Sequence, residues 1–349
     1  MANTPVVVLD DTMTSIANAI RSKTGGSATM TPGQMPAQIA SIPAGTLGIP
    51  REVSAQGIYQ SPKTNFSAFS LPATASTVGS YALAYAFYNS SQVAYNSPPI
   101  VTADLSSINV IDNSGLYYTF FGCYYLETLN LSSLTRIYGS GMQGCCRFCA
   151  SLVNVNMNKL YQCSDSSLRN AFVYCTSLQS ISFPVLVTVS DGYVFAAAFQ
   201  SCANLTSPSF PALKTVSGSY VFQDAFSYCP QLNTNPFPNL EVISESYAMS
   251  NAFRECTSLQ SISFQHLSSI TGNWAMKEAF NGCTALTSVS FPALTTSSFG
   301  SYTSQFGDML KGCSGVTVHF PASIQSTIGS WSSVTSGFGG TNTTVLFDL

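Results

Sequence analysis

Charge is what this sequence has least of. Only 8% of its 349 residues are Asp, Glu, Lys or Arg, against roughly 25% in an ordinary soluble domain. Twelve Lys and Arg stand against 15 Asp and Glu, a net charge of -3. Such a chain cannot neutralise a run of phosphates, so nucleic acid is not an expected partner. Histidine is nearly absent, with only His266 and His319. Neither belongs to a nucleophile signature, and no G-x-S-x-G is present. The sparse carboxylates show no pairing suited to glycoside hydrolysis. Neither catalysis nor a cofactor is therefore expected. No apolar run approaches 18 residues, so membrane insertion is not expected either. The opening MANTPVVVLDDT has no basic stretch and no long apolar stretch, which argues against an ordinary secretory signal.

What is present is apolar and periodic. Hydrophobic residues make up 45% of the chain and aromatics 12%, enough to bury a large core rather than remain disordered. Cys123, Cys149, Cys175, Cys202, Cys229, Cys256, Cys283 and Cys313 are spaced by 26, 26, 27, 27, 27, 27 and 30 residues. A fixed period in the twenties marks a stacked repeat. Ala171-Phe172-x-x-Cys175-x-x-Leu178 recurs from Ala198, Ala225, Ala252 and Ala279, and an earlier copy at Ala86 carries Ser90 in the cysteine position. Each copy continues as Leu178-x-x-Ile181-x-Phe183-Pro184-x-Leu186-x-x-Val189. That spacing predicts a short strand and a tight corner, with Pro184, Pro211, Pro238 and Pro292 at strand ends. A Gly/Ser corner follows. The i,i+4 pairs Phe195/Phe199, Phe222/Phe226, Met249/Phe253 and Met276/Phe280 then predict a short helical turn. One such coil cannot cover its own apolar face, but neighbours in a stack cover each other. The expected fold is an α/β repeat solenoid over 81–320.

The pattern A-F-x-x-C-x-x-L-x-x-I-x-F-P-x-L, over about residues 80–320, resembles the BspA-like leucine-rich repeats. These occur in bacterial surface proteins, some protists and phage or prophage proteins. The resemblance implies adhesion or recognition without catalysis in the repeats. The last copy, Cys313 to Ile324, is one residue short. Similar shortened ends in the family form a terminal cap, which assigns 321–349 to a C-terminal cap.

The recurring cysteines are expected to be buried free thiols, because cysteine packs as a small hydrophobe. Parallel stacked side chains disfavour the dihedral a disulfide needs, and Ser90 in the same position fits a packing site. Cys163 stands where other copies carry Val189, Val216 or Ile243, so it too reads as core. Cys145-Cys146-x-x-Cys149 has no histidine or fourth thiolate nearby, so no zinc site is expected.

Residues 1–45 lie outside the repeat. Asp11 can cap a helix running to about Lys23, and a second short helix is expected from Pro36. Their apolar stripes, with Met13, Ile16 and Ile20 on the first and Ile39 and Ile42 on the second, are too thin for a core. They are expected to dock on a partner, on a second copy, or on the first coil. Ile16-Ala-Asn-Ala-Ile20-Arg-Ser-Lys-Thr-Gly25, with Met30-Thr-Pro-Gly-Gln-Met35-Pro-Ala-Gln-Ile39, resembles a segment at the front of phage and prophage tail-associated proteins of Gram-positive bacteria. This resemblance implies an N-terminal attachment segment to other virion proteins, with the repeats outward. Residues 46–80 are expected to be a linker or irregular N-cap.

Two rows are candidates for a ligand. The strand face carries neutral polar residues, such as Ser180, Ser182, Ser207, Ser209, Ser261, Ser263, Ser288 and Ser290. Stacked coils put equivalent residues side by side, where like charges would repel. Tyr193, Tyr220, Tyr247 and Trp274 recur every 27 residues, either as structural pillars or as sugar-stacking rings. Insertions in repeat arrays map to loops on one face. This adds Tyr95, Tyr117 and Tyr118 from 93–118, and Phe299 and Tyr302 from 295–308. The expected function is a virion fibre or tail-tip protein binding a bacterial surface glycan or protein. The alternatives are a bacterial surface or secreted adhesin, or a structural protein that self-assembles. A homo-oligomer is expected.

Overall fold

The structure, a computed structural model, describes residues 68–71, 73–90, 97–299, 304–328 and 338–349. The expected N-terminal helices, with Met13, Ile16, Ile20, Ile39 and Ile42, lie outside the described residues.

Most coils contribute two short strands and an array of turns. The first strand row comprises β1 (Ala68–Ser70), β3 (Thr102–Asp104), β5 (Thr128–Asn130), β7 (Asn154–Asn156), β9 (Ser180–Ser182), β11 (Ser207–Ser209), β14 (Ser261–Ser263), β16 (Ser288–Ser290), β17 (Thr317–Phe320) and β18 (Thr344–Phe347). The second row comprises β2 (Thr77–Val78), β4 (Val110–Ile111), β6 (Arg136–Ile137), β8 (Gln162–Cys163), β10 (Thr188–Val189), β12 (Thr215–Val216), β13 (Val242–Ile243) and β15 (Ser269–Ile270). Within each ladder neighbours pair in parallel with the repeat in register: Ile181 faces Pro208, Val189 faces Val216, and Ile262 faces Val289. Both rows break at one step, between β7 and β9 and between β8 and β10. The coils therefore repeat at about 4.8 Å along the stack.

The first row is interrupted again between β11 and β14, where the chain reads Asn233-Thr234-Asn235-Pro236-Phe237-Pro238. Proline has no N–H to give to a ladder. The Asn235 side-chain amide donates to Ser263 O at 2.7 Å instead, and Phe210 N–H is taken by Pro236 O at 2.8 Å.

The α/β expectation is corrected to a β-solenoid. Among the described residues, helix is confined to a 3-10 turn at Ala322–Ile324 and the single turn α1 (Gln325–Ile328). The segment around Phe195 and Phe199 is an unbroken series of turns. The N–H groups of Ala196, Ala198, Gln200 and Cys202 donate to the carbonyls of Tyr193, Phe195, Ala197 and Phe199 in the same coil. The N–H groups between them, from Tyr193, Phe195, Ala197, Phe199 and Ser201, donate to Ser219, Val221, Gln223, Ala225 and Ser227 in the next coil. An α-helix would turn these donors onto its own carbonyls and leave nothing for the next coil. The geometry needs positive φ at every fourth residue: 58° at Tyr193, 51° at Ala197 and 60° at Ser201. No right-handed helix accommodates that. The i,i+4 phenylalanines do share a buried face, but through a four-residue repeat of turns.

The core is one continuous column. Phe172, Phe199, Phe226, Phe253 and Phe280 stack coil upon coil at 5.3–5.7 Å. Leu178, Leu205, Leu232, Leu259 and Leu286 are buried beside them. The strand rows extend beyond the expected limits of 81 and 320. β1 and β2 fall inside the segment read as linker or cap, and β18 adds a further strand within 321–349.

Candidate ligand-binding faces

All eleven cysteines are buried and free. Eight thiols donate to a carbonyl of the preceding coil. Cys123, Cys149, Cys175, Cys202, Cys229, Cys256, Cys283 and Cys313 bond to Phe87, Phe120, Cys146, Phe172, Phe199, Phe226, Phe253 and Phe280 at 3.0–3.3 Å. Burial pushes the thiols up, Cys149 and Cys229 to about 12. A buried thiol that resists ionisation is neither a nucleophile nor a metal ligand. Among the described residues no group of three or more His, Cys, Asp or Glu is placed to hold a metal. His266 is exposed, and His319 Nδ1 lies 3.0 Å from Asp348 Oδ1.

The strand face carries its Ser, Thr and Asn side chains outward as two parallel rows. Ser180, Ser207 and Ser261 are exposed, while Ser182, Ser209, Ser263 and Ser290 are half-buried. Part of this row bonds to itself: Ser290 Oγ donates to Ser263 Oγ at 2.7 Å, and Thr206 and Thr287 donate to Gln179 O and Gln260 O. Val153 stands exposed within the face.

The turn face carries the aromatics. Tyr193 and Tyr220 stack at 4.8 Å and 5°, and Tyr220 and Tyr247 at 5.0 Å and 2°. The Arg169 guanidinium lies 5.0 Å from the Tyr193 ring, and Lys277 Nζ lies 5.2 Å from the Trp274 ring. Gly307 lies against the Trp274 indole, where a β-carbon would collide with it. The rings of Tyr193 and Tyr220 are therefore covered on both faces. They offer edges and hydroxyls to solvent. Tyr117 and Tyr118 join Tyr85, Tyr88 and Phe121 in one cluster with ring centroids 4.6–6.4 Å apart. Desolvation, followed by the neighbouring phenols Tyr117, Tyr118 and Tyr88, pushes Tyr85 up to about 12. Phe299 is turned partly into the core, bridging Ile270 through its backbone and meeting the Phe306 ring at 6.3 Å. Tyr95 and Tyr302 lie outside the described residues.

Sequence reasoning missed several exposed rings, and two of them share one column of the turn face. Tyr174 and Tyr228 are 44% and 43% exposed, both at positive φ, with Ser201 in the equivalent position between them. Their separation of 54 residues is twice the 27-residue period. That interval was the available signal.

The fold is thus a stacked-coil scaffold whose side chains project in rows, the kind of architecture that offers an extended binding surface rather than an enclosed reaction site. The BspA type leucine-rich repeat region model matches residues 56–246 and 196–332, in six copies in all. The chain belongs to that family. It is similar in structure to a leucine-rich cell surface protein from Faecalibacterium prausnitzii, at 14% identity over 80% of this chain and 88% of that one, with a TM-score of 0.33. It is also similar to a leucine-rich repeat protein of T. pallidum, at 18% identity over 64% and 79%, again with a TM-score of 0.33. No curated protein matches the chain significantly.

Proposed function

We propose that this protein is a non-catalytic recognition protein of a phage or prophage particle, a fibre or tail-tip component that binds the bacterial host surface. The observation that carries the recognition role is the turn face, where rings of successive coils stack in register and Tyr174 and Tyr228 stand exposed. Many weak contacts along such a face, multiplied by copy number on a particle, give firm attachment without any covalent step. The particle location is supported by the N-terminal string from Ile16 to Ile39, which would dock to other virion proteins. Mass spectrometry of particles released by prophage induction tests it: the full chain should co-purify with tail proteins. Replacing Ile16 and Ile20 by Asp should leave it in the soluble fraction. The second reading is a bacterial surface or secreted adhesin, favoured by the family resemblance of the repeats. It predicts that the chain is released by protease treatment of intact producing cells and is absent from particles.

A further inference from the structure

Along the third positive-φ position of successive coils stand Phe148, Tyr174, Ser201 and Tyr228, at φ of 65°, 61°, 60° and 58°. Nearly equal backbone angles send the four β-carbons the same way out of the turn face. Phe148 and Tyr174 stack at 4.9 Å and 7°, the spacing of the coils themselves. On its far side Tyr228 is covered by the Arg254 guanidinium, 5.5 Å from the ring. Between Tyr174 and Tyr228 the column lacks one ring, because Ser201 has none to give. Two coil spacings leave about 10 Å between the two ring positions. A ring entering midway meets each phenol at about the 4.8 Å at which this protein's own rings stack.

We propose that Tyr174 and Tyr228 form a slot that takes a single neutral pyranose ring of a surface glycan. The chemistry of the walls and floor selects that class. A pyranose shows C–H groups to both aromatic faces and hydroxyls around its edge. The Ser201 hydroxyl forms the floor. Gln200 is the neighbouring polar side chain, held by donating from Nε2 to Ser227 Oγ at 3.2 Å, and Ser227 in turn donates to Asp224 O at 3.0 Å. The two phenol hydroxyls complete the rim. The walls are uncharged, which suits a neutral sugar. The exposure of both rings, 44% and 43%, leaves them accessible to a residue within a longer chain.

This assignment rests on the recognition role and deepens it by naming site and ligand class. The test uses the full chain and methyl glycosides of glucose, galactose, rhamnose and N-acetylglucosamine in both anomers, read by saturation-transfer NMR and titration. At least one glycoside should bind. Tyr174→Ala and Tyr228→Ala should each weaken binding about tenfold or more. Ser201→Tyr is the decisive variant. It supplies the missing ring in a backbone conformation where Tyr174 and Tyr228 already sit, so it should keep or raise the melting temperature while abolishing binding. Undiminished binding by Ser201→Tyr overturns the slot, as does binding of p-cresol with no glycoside. Envelope binding, measured in parallel, separates the two claims. Envelope binding without glycoside binding defeats the slot alone, and loss of both defeats the recognition role with it.

Discussion

Cys229 donates its thiol hydrogen to the carbonyl oxygen of Phe199, 3.1 Å away in the preceding coil. The same carbonyl accepts the N–H of Cys202 at 3.2 Å, so a single oxygen closes a turn in its own coil and ties down the next. The thiol bond repeats for Cys256 with Phe226 and for Cys283 with Phe253, and the Phe253 carbonyl also accepts the N–H of Cys256 at 3.1 Å. It explains why cysteine recurs where alanine would fit by size. Cys229→Ala removes a buried donor and leaves a small void, and should cost about 1–2 kcal/mol. Urea denaturation of the full chain measures this as a lower midpoint with unchanged slope.

Thiol accessibility gives a second prediction. All eleven cysteines are buried, and burial pushes Cys149, Cys163 and Cys229 up to about 12. An aromatic disulfide reagent at neutral pH should label almost none of them in the native protein and all eleven after denaturation.

The turn array makes a third. Ala197 sits at φ 51°, a conformation that a β-carbon disfavours, while Gly144 occupies the equivalent position of an earlier coil at φ 61°. Ala197→Gly should therefore stabilise the protein by about 1 kcal/mol, against the ordinary effect of glycine in regular structure. Tyr220→Ile, at φ 59°, should destabilise it, because a β-branched residue fits that conformation worst and the Tyr193–Tyr247 stack loses its middle ring. Calorimetry on the two variants should show melting temperatures moving in opposite directions.

Asp224 supplies a pH dependence. Desolvation pushes its carboxyl up from 3.8 to about 6, with Arg254 opposing and Glu278 reinforcing the rise. Between roughly pH 4 and pH 6 the folded state then binds more protons than the unfolded one, so this group's contribution falls as pH rises through that window. Asp224→Asn should flatten that part of the stability curve and raise stability at neutral pH. Solvent screening at the partly exposed carboxyl limits the gain to about 1 kcal/mol. Denaturation midpoints across the window, wild type against variant, check both.

The solenoid was legible in the sequence because each coil repeats the same burial. Cys202, Leu205, Phe210, Leu213 and Val216 are all fully buried, and their spacing recurs wherever the coil does. The second strand row was harder to see, since Thr188–Val189 and Thr215–Val216 are two-residue strands below the length at which alternation can be read. The expected helix failed for a different reason. Phe195 and Phe199 satisfy i,i+4 spacing in a helix and in a four-residue series of turns alike. Only the demand of the neighbouring coil for half the N–H groups decides between them. Of the candidate rings, the row through Tyr193 was visible as a strict period, whereas Tyr174 and Tyr228 were hidden by the Ser201 that separates them.

Sedimentation of the full chain with envelope fractions of candidate host bacteria, followed by chemical analysis of the envelope polymers, tests the central claim most directly. The account predicts saturable binding that leaves those polymers unaltered. Release of polymer fragments, or no binding to any fraction, would contradict it.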